Sequence, residues 1–208
     1  DIGLSHYDAV MPISDEQKKR AVEMLIERLG YTPDASFDEL ARGLFAVGES
    51  GWDINPRMTY HAYDYAVADL NALVWSIENN MEYFSRELGR DADADVWKRR
   101  KDKRAELCRK YLKGEDGVFY DYDLVKGERT NLFSVASYYP LYFGMATEEE
   151  ARAARDQLSR LETEWGVVTV EKCDHIKGTF QWGYPNGWPP MQIIAVGGLL
   201  RYGYIDEA

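Results

Sequence analysis

Apolar residues in this chain recur at three- and four-residue spacing, and that period limits the fold more than any other feature. Val22, Leu25, Ile26 and Leu29 follow Ser14 on one face of a predicted helix, and Gly30 fits its stop. Ser36 and Glu39 form an S-x-x-E capping box ahead of Leu40, Leu44 and Phe45. A long helix is predicted over about 65–88, with Leu70, Val74, Ile77, Met81 and Phe84 facing inward. Asp91 or Asp93 caps the next, which carries Val96, Leu107, Cys108 and Tyr111. Thr147 and Glu150 make a second capping box before Ala154, Leu158 and Leu161. Pro189 and Pro190 suit a first helical turn, followed by Ile193, Ile194, Val196 and Leu199. Only residues 117–124, with a turn at Lys126-Gly127, and 167–170 read as extended. There is no βαβ alternation and no glycine-rich phosphate loop, so the expected fold is all-α, built from antiparallel helix pairs. No linker-like stretch divides residues 1–208, which are treated as a single unit.

Composition narrows the function classes. With 45% apolar residues the chain can bury a core, which excludes a disordered polymer. No run of about 18 apolar residues occurs, so no membrane span is expected. The net charge of −11 repels phosphate backbones and argues against a nucleic-acid partner. Cys108 and Cys173 form no CxxC, and His6, His61 and His175 have no ligand spacing, so neither a metal nor another cofactor is indicated. The chain begins at Asp1 without Met or a signal-like apolar segment, as a mature product or a fragment would.

Chemistry concentrates in two segments. Residues 48–57 gather Glu49, Asp53 and Arg57 beside Trp52. Residues 180–190 hold two Trp, one Tyr, two amides and three Pro in eleven positions. Aromatic faces pack on the C–H side of a pyranose, amides bond its hydroxyls, and a nearby carboxylate can serve glycosidic cleavage. The same residues could also be core cover, a helix cap at Asp53 and an Arg57–Glu49 pair. Residue types alone leave a sugar hydrolase and a noncatalytic helical carbohydrate-binding or interaction module both open.

Both segments resemble signatures of the trehalase family of glycoside hydrolases. Glu49-Ser50-Gly51-Trp52-Asp53 reproduces its E-S-G-W-D segment, with Arg57 where its arginine stands. Gln181-Trp182-Gly183-Tyr184-Pro185-Asn186-Gly187-Trp188-Pro189-Pro190 matches its Q-W-D-Y-P-N-A-W-P-P segment at most positions. Between them, residues 68–73 resemble V-D-L-N-A-L and residues 119–123 resemble F-Y-D-Y-D. E-S-G-W-D also occurs in related α-glucosidases, so the second segment is the more specific.

The resemblance implies the C-terminal-side portion of an (α/α)6 toroid that hydrolyses α,α-trehalose or a related α-glucoside with inversion, without a metal. It makes Asp53 the general acid and Trp52, Arg57, Gln181, Trp182, Asn186 and Trp188 substrate-binding residues. The family's base lies in a V-E-K-Y-like segment beyond the Q-W-D loop. Val170-Glu171-Lys172 is similar but precedes that loop, and Glu171 is read as a chance match. Gly183 replaces the usual Asp, which implies altered sugar recognition. A partial toroid exposes apolar helix faces, and such faces associate with another chain or with the remainder of the barrel. Cys108 is read as core, His61 and His175 as loop or surface residues, and Lys98 to Lys103 as a solvated face. Asp69 and Asn71 are read as ties between a helix start and a loop; Asp121 and Asp123 alone are weak grounds for calcium.

Overall fold

The computed structural model describes residues 14–17, 19–20, 22–23, 36–58, 61–174 and 180–208. Most of the predicted helix after Ser14, including Leu25, Ile26, Leu29 and Gly30, lies outside them, as does His175.

Helix α1 spans Phe37–Glu49 and starts at the capping box read from sequence. The Ser36 hydroxyl accepts from the Glu39 N–H, and the Glu39 carboxylate accepts from the Ser36 N–H at 2.9 Å. A 3-10 turn at Ala62–Asp64 leads into strand β1, Tyr65–Ala66. Helices α2, Ala68–Glu87, and α3, Asp91–Tyr111, then form a hairpin. Their pairing runs Arg86–Asp95, Glu82–Lys101 and Glu78–Arg104, so numbers fall on one helix as they rise on the other, the signature of antiparallel packing. Strands β2, Tyr122–Asp123, and β3, Glu128–Arg129, complete a three-stranded antiparallel sheet in the order β1-β2-β3. The extended stretch 117–124 is thus mostly loop, with the predicted turn at Lys126-Gly127 closing β2 onto β3. A 3-10 turn, Val135–Tyr138, enters the short helix α4, Tyr139–Phe143. Helix α5, Glu148–Asp156, is followed by the β4–β5 hairpin of Glu162–Thr163 and Gly166–Val167. Helix α6, Pro189–Arg201, opens on its two prolines.

The core gathers Trp52, Phe119, Phe133, Tyr138, Leu141, Leu161 and Leu199 beneath the loops that join these helices. Cys108 lies in it, and burial pushes its thiol up to about 11. Helix α6 crosses α4 closely because residues 197 and 198 lack side chains. A Cβ on Gly198 would stand 3.1 Å from the Leu141 Cβ, and one on Gly197 2.7 Å from the Tyr142 ring.

The inward face read from the period for the 65–88 helix is wrong. On α2, Leu70 (56% exposed), Ile77 (51%) and Phe84 (56%) look outward, as does Met81, while Ala68, Asp69, Ala72, Glu78 and Ser85 are buried. The side of α2 that meets α3 carries Glu78 and Glu82, paired with Arg104 and Lys101, and the small Ala72 lies fully buried. On α6, Ile193 and Val196 are exposed, and Met191, Ala195 and Gly198 are buried with Leu199.

Helix α5 is tied to α3 by one buried carboxylate. Glu150 receives Arg109 at 2.8 Å and Lys113 at 3.3 Å, while also closing the Thr147 capping box. Burial alone would raise its carboxyl; Arg109, the Thr147 N–H and Lys113 outweigh this and hold it below the ordinary range. A depressed folded-state value means stability that is present above the unfolded glutamate range and lost as pH falls through the folded value. Glu150→Gln is therefore expected to lower stability at neutral pH by about 2 kcal/mol and to flatten the acid limb of a Tm-against-pH curve. An unchanged acid limb would remove Glu150 from that role.

Candidate active site

Three helix ends meet at the site: the C-terminus of α1, and the N-termini of α2 and α6. The chain leaves α1 through Ser50, whose hydroxyl bonds back to the Val47 carbonyl and accepts from the Trp52 N–H at 3.1 Å. Gly51 takes φ +74°, which turns the chain sharply. Trp52 then drives into the core at 2% exposure, while the next residue, Asp53, points outward and is exposed. No described residue hydrogen-bonds the Asp53 carboxylate. Ile54 sits at φ +43°. Asn55 is fully buried; its amide N–H bonds the Trp52 carbonyl and its amide oxygen accepts the Met58 N–H at 3.1 Å.

Arg57 is inside the fold. Its Nε and Nη2 donate to the two oxygens of Asp121 at 3.0 and 2.8 Å, and its Nη1 and Nη2 donate to Asp69 at 3.2 and 3.1 Å. Asp121 also accepts the Ala68 N–H at 3.0 Å, which gives α2 the N-terminal acceptor that Val67 lacks. Burial disfavours the guanidinium charge, but Asp121 and then Asp69 more than offset it, so Arg57 stays charged. The guanidinium lies 4.1 Å from the Trp52 ring centroid.

The second segment is laid on the first. The Trp182 N–H donates to the Ile54 carbonyl at 3.2 Å, and the Trp182 ring lies 6.0 Å from Trp52. Trp182 and Trp188 stack at 4.7 Å with 7° between planes. The Asn186 amide donates to the Phe180 and Gln181 carbonyls at 3.2 and 3.1 Å, and the Trp188 indole N–H to Gln181 at 3.0 Å. Thr169 clamps the Asn186 carbonyl with its N–H and hydroxyl. The Trp182 indole N–H is buried without an acceptor among the described residues.

All seven residues singled out from sequence therefore come together, but in two layers. Asp53, Gln181 and Asn186 are exposed, and Trp182 and Trp188 are half-buried. Trp52 and Arg57, read from sequence as sugar contacts, lie beneath with their surfaces taken by the fold. Glu171 is held by Arg160 at 2.8 and 2.9 Å and accepts the Phe133 N–H at 2.7 Å. Asp69 ties the start of α2 to the loop of Arg57, and Asn71 bonds the Val67 carbonyl and Arg104. Asp123 binds the Val125 and Lys126 N–H groups. No three His, Cys, Asp or Glu side chains converge among the described residues. Asn55 carries weight that the sequence reading missed; the only signal was its place between Ile54 and Pro56.

Comparison with known proteins follows the same residues. The trehalase family model matches residues 11–208. The chain belongs to the trehalase family. It is 32% identical over 204 residues to a cytosolic neutral trehalase of Emericella nidulans, covering 86% of this chain and 27% of that protein. It is 33% identical over 195 residues to a probable trehalase of Eremothecium gossypii, covering 86% and 26%. The chain thus spans about a quarter of the length of these curated relatives. The structure of the neutral trehalase Nth1 of Saccharomyces cerevisiae superposes with TM-score 0.78 at 28% identity, over 97% of this chain and 38% of that one. A GH63 mannosylglycerate hydrolase of Thermus thermophilus shares the fold at TM-score 0.58 and 16% identity, over 69% and 34%. The helix pairs are thus part of an (α/α)6 toroid, the fold of these enzymes. Among the described residues, no helix is long and apolar enough to cross a membrane.

Gly183 is where this trehalase-family chain departs from the Q-W-D-Y-P pattern, and the space there is closed. A Cβ at 183 would lie 2.8 Å from the Phe180 Cβ and 3.3 Å from the Pro56 Cδ. Gly183→Asp is therefore expected to force Phe180 to shift within the second loop and to press on Pro56, at a cost of about 1–3 kcal/mol read as a drop in Tm. A variant as stable as the parent would show that the loops give way freely.

Proposed function

We propose that this chain forms the acid-bearing part of an inverting glycosidase acting on α,α-trehalose or a related α-glucoside. The observation that carries the reading is Asp53: an exposed carboxyl, on a rigid turn, beside the stacked Trp182–Trp188 pair, in the E-S-G-W-D segment of a trehalase-family chain. In this reading the Asp53 carboxyl gives its proton to the glycosidic oxygen as the C1–O bond breaks. A water attacks C1 from the opposite face and loses its proton to a second carboxylate about 6.5–9.5 Å away. One glucose leaves with its configuration kept and the other with C1 inverted.

Gln181 offers its exposed amide and Asn186 the oxygen of its own, since the Asn186 N–H groups bind the Phe180 and Gln181 carbonyls, and the half-buried Trp182 and Trp188 rings offer apolar surface. We assign the base to a carboxylate outside these residues, because Glu171 is held by Arg160 and the relatives are far longer.

The same length difference bears on the exposed stripe Leu70, Ile77, Met81 and Phe84 of α2. A groove of about 700 Å³ between α2 and α3 is lined by Val96, Leu107 and Tyr111 together with Arg99, Arg100 and Lys103. We assign this flank to the other helices of the toroid, whose contacting residues would be apolar with acidic neighbours. The 208-residue chain alone is then expected to self-associate by sizing chromatography and to become monodisperse in the longer polypeptide. A monodisperse monomer would count against the assignment.

The functional test is trehalose hydrolysis with anomer detection by NMR. One α- and one β-glucose per trehalose are expected at early times, and Asp53→Asn should lower kcat by about 10²–10⁴-fold with Tm unchanged. Binding of sugar without turnover would instead favour a noncatalytic module, and full activity in Asp53→Asn would remove Asp53 as the acid.

A further inference from the structure

Ile54 is the one described residue other than glycine with positive φ, at +43°. A β-branched side chain is costly there, by about 1–2 kcal/mol. The turn keeps that conformation because its surroundings leave it no other. Asn55 uses both ends of its buried amide on Trp52 and Met58, the Trp182 N–H holds the Ile54 carbonyl, and Arg57 fastens the end of the turn. That fastening reaches two distant segments, Asp69 at the start of α2 and Asp121 ahead of β2.

Arg57 has no surface for a substrate. Its side chain is 0% exposed, each of its three nitrogens donates to a carboxylate, and Trp52 covers its face at 4.1 Å. Trp52 in turn meets Trp182, which stacks on Trp188. A cation and three indoles therefore form one row from the buried carboxylates to the second loop. Asp53 stands between Trp52 and the strained Ile54, the two points this row and the turn hold most firmly.

We propose that Arg57 is a positioning residue: by clamping Asp69 and Asp121 beneath Trp52 it holds the left-handed turn at Ile54, which aims Asp53 out of the fold. The inference rests on Asp53 being the acid, and it replaces the sugar-contact role that the family resemblance implies for Arg57. A positioning group acts on the reacting geometry, so its loss falls on kcat. A sugar contact acts on ground-state binding, so its loss falls on KM.

Two variants test this, each with a kinetic and an optical readout. Arg57→Lys keeps the charge and removes the fork that spans both carboxylates. Ile54→Gly keeps φ accessible but lets the turn relax, and its strain relief and added unfolded-state entropy oppose each other, so Tm should move little. In the polypeptide that hydrolyses trehalose, both are expected to lower kcat by about 10- to 100-fold with KM within about twofold. In the 208-residue chain, Arg57→Lys should change the near-UV circular dichroism of the indole row while the far-UV spectrum is kept. A raised KM with kcat retained, or an unchanged near-UV spectrum, would overturn the proposal. If Arg57→Lys fails to fold, Ile54→Gly decides: unchanged kcat would overturn the proposal. If the parent enzyme does not hydrolyse trehalose, the catalytic reading fails, while the near-UV comparison still decides whether Arg57 orders the row.

Discussion

One buried guanidinium organises the functional end of this chain. Arg57 brings together the turn after α1, the first turn of α2 and the segment before β2, and ties all three through one side chain. Two carboxylates and one cation leave a formal excess of negative charge in a dry place. The N-terminus of α2 answers it: Asp121 accepts the Ala68 N–H, and Asp69 sits in the first helical turn, where the helix dipole favours an anion. Desolvation makes such a cluster a poor source of net stability, but a strict source of geometry, because any displacement leaves a charge without its partner. Fixed geometry is what the acid role proposed for the exposed Asp53 beside it requires.

The second loop holds its own shape and meets the first at few points. Its polar side chains are largely spent on its own backbone, with Asn186 and Trp188 meeting the Phe180 and Gln181 carbonyls. Its attachment to the turn is a single backbone bond to Ile54 and the indole contact with Trp52. Aromatic residues that composition suggests as a sugar platform therefore do two jobs. Trp52 works as core, and Trp182 and Trp188 join that core to the surface. Gly183 leaves room for the join, since a Cβ there would press on Phe180 of the same loop and come within 3.3 Å of Pro56 of the first.

What could be read from sequence was what is decided locally. The boxes at Ser36 and Thr147 close through residues three apart, and the prolines at 189 and 190 act within one helical turn. The start of α2 was not legible in the same way, because its N-terminal acceptor, Asp121, lies fifty-three residues away. The inward face of α2 was misread for a related reason. Period identifies an apolar stripe, not the partner that covers it, and here the neighbouring helix offers Arg104 and Lys101. The residues of the site were legible as types through the family resemblance, while their division into an exposed and a buried layer was not. Nothing in E-S-G-W-D says that the Trp faces inward and the Asp outward; that follows from Gly51, Ile54 and Asn55.

The seam between α2 and α3 has a consequence for how the hairpin finds its alignment. Greasy helix faces can slide by a turn and still exclude water, so they specify register weakly. Here Glu78, buried at 3% exposure, meets the Arg104 fork at 2.9 and 3.0 Å, and Asn79 and Glu82 meet Lys101. A slip of one helical turn, about 5.4 Å, would break that two-pronged pairing and put Cys108 or the more exposed Arg100 opposite Glu78 in place of Arg104. The hairpin thus carries a ruler made of charge. It sets how far the first turn of α2 projects, and so the height at which Asp69 waits for Arg57.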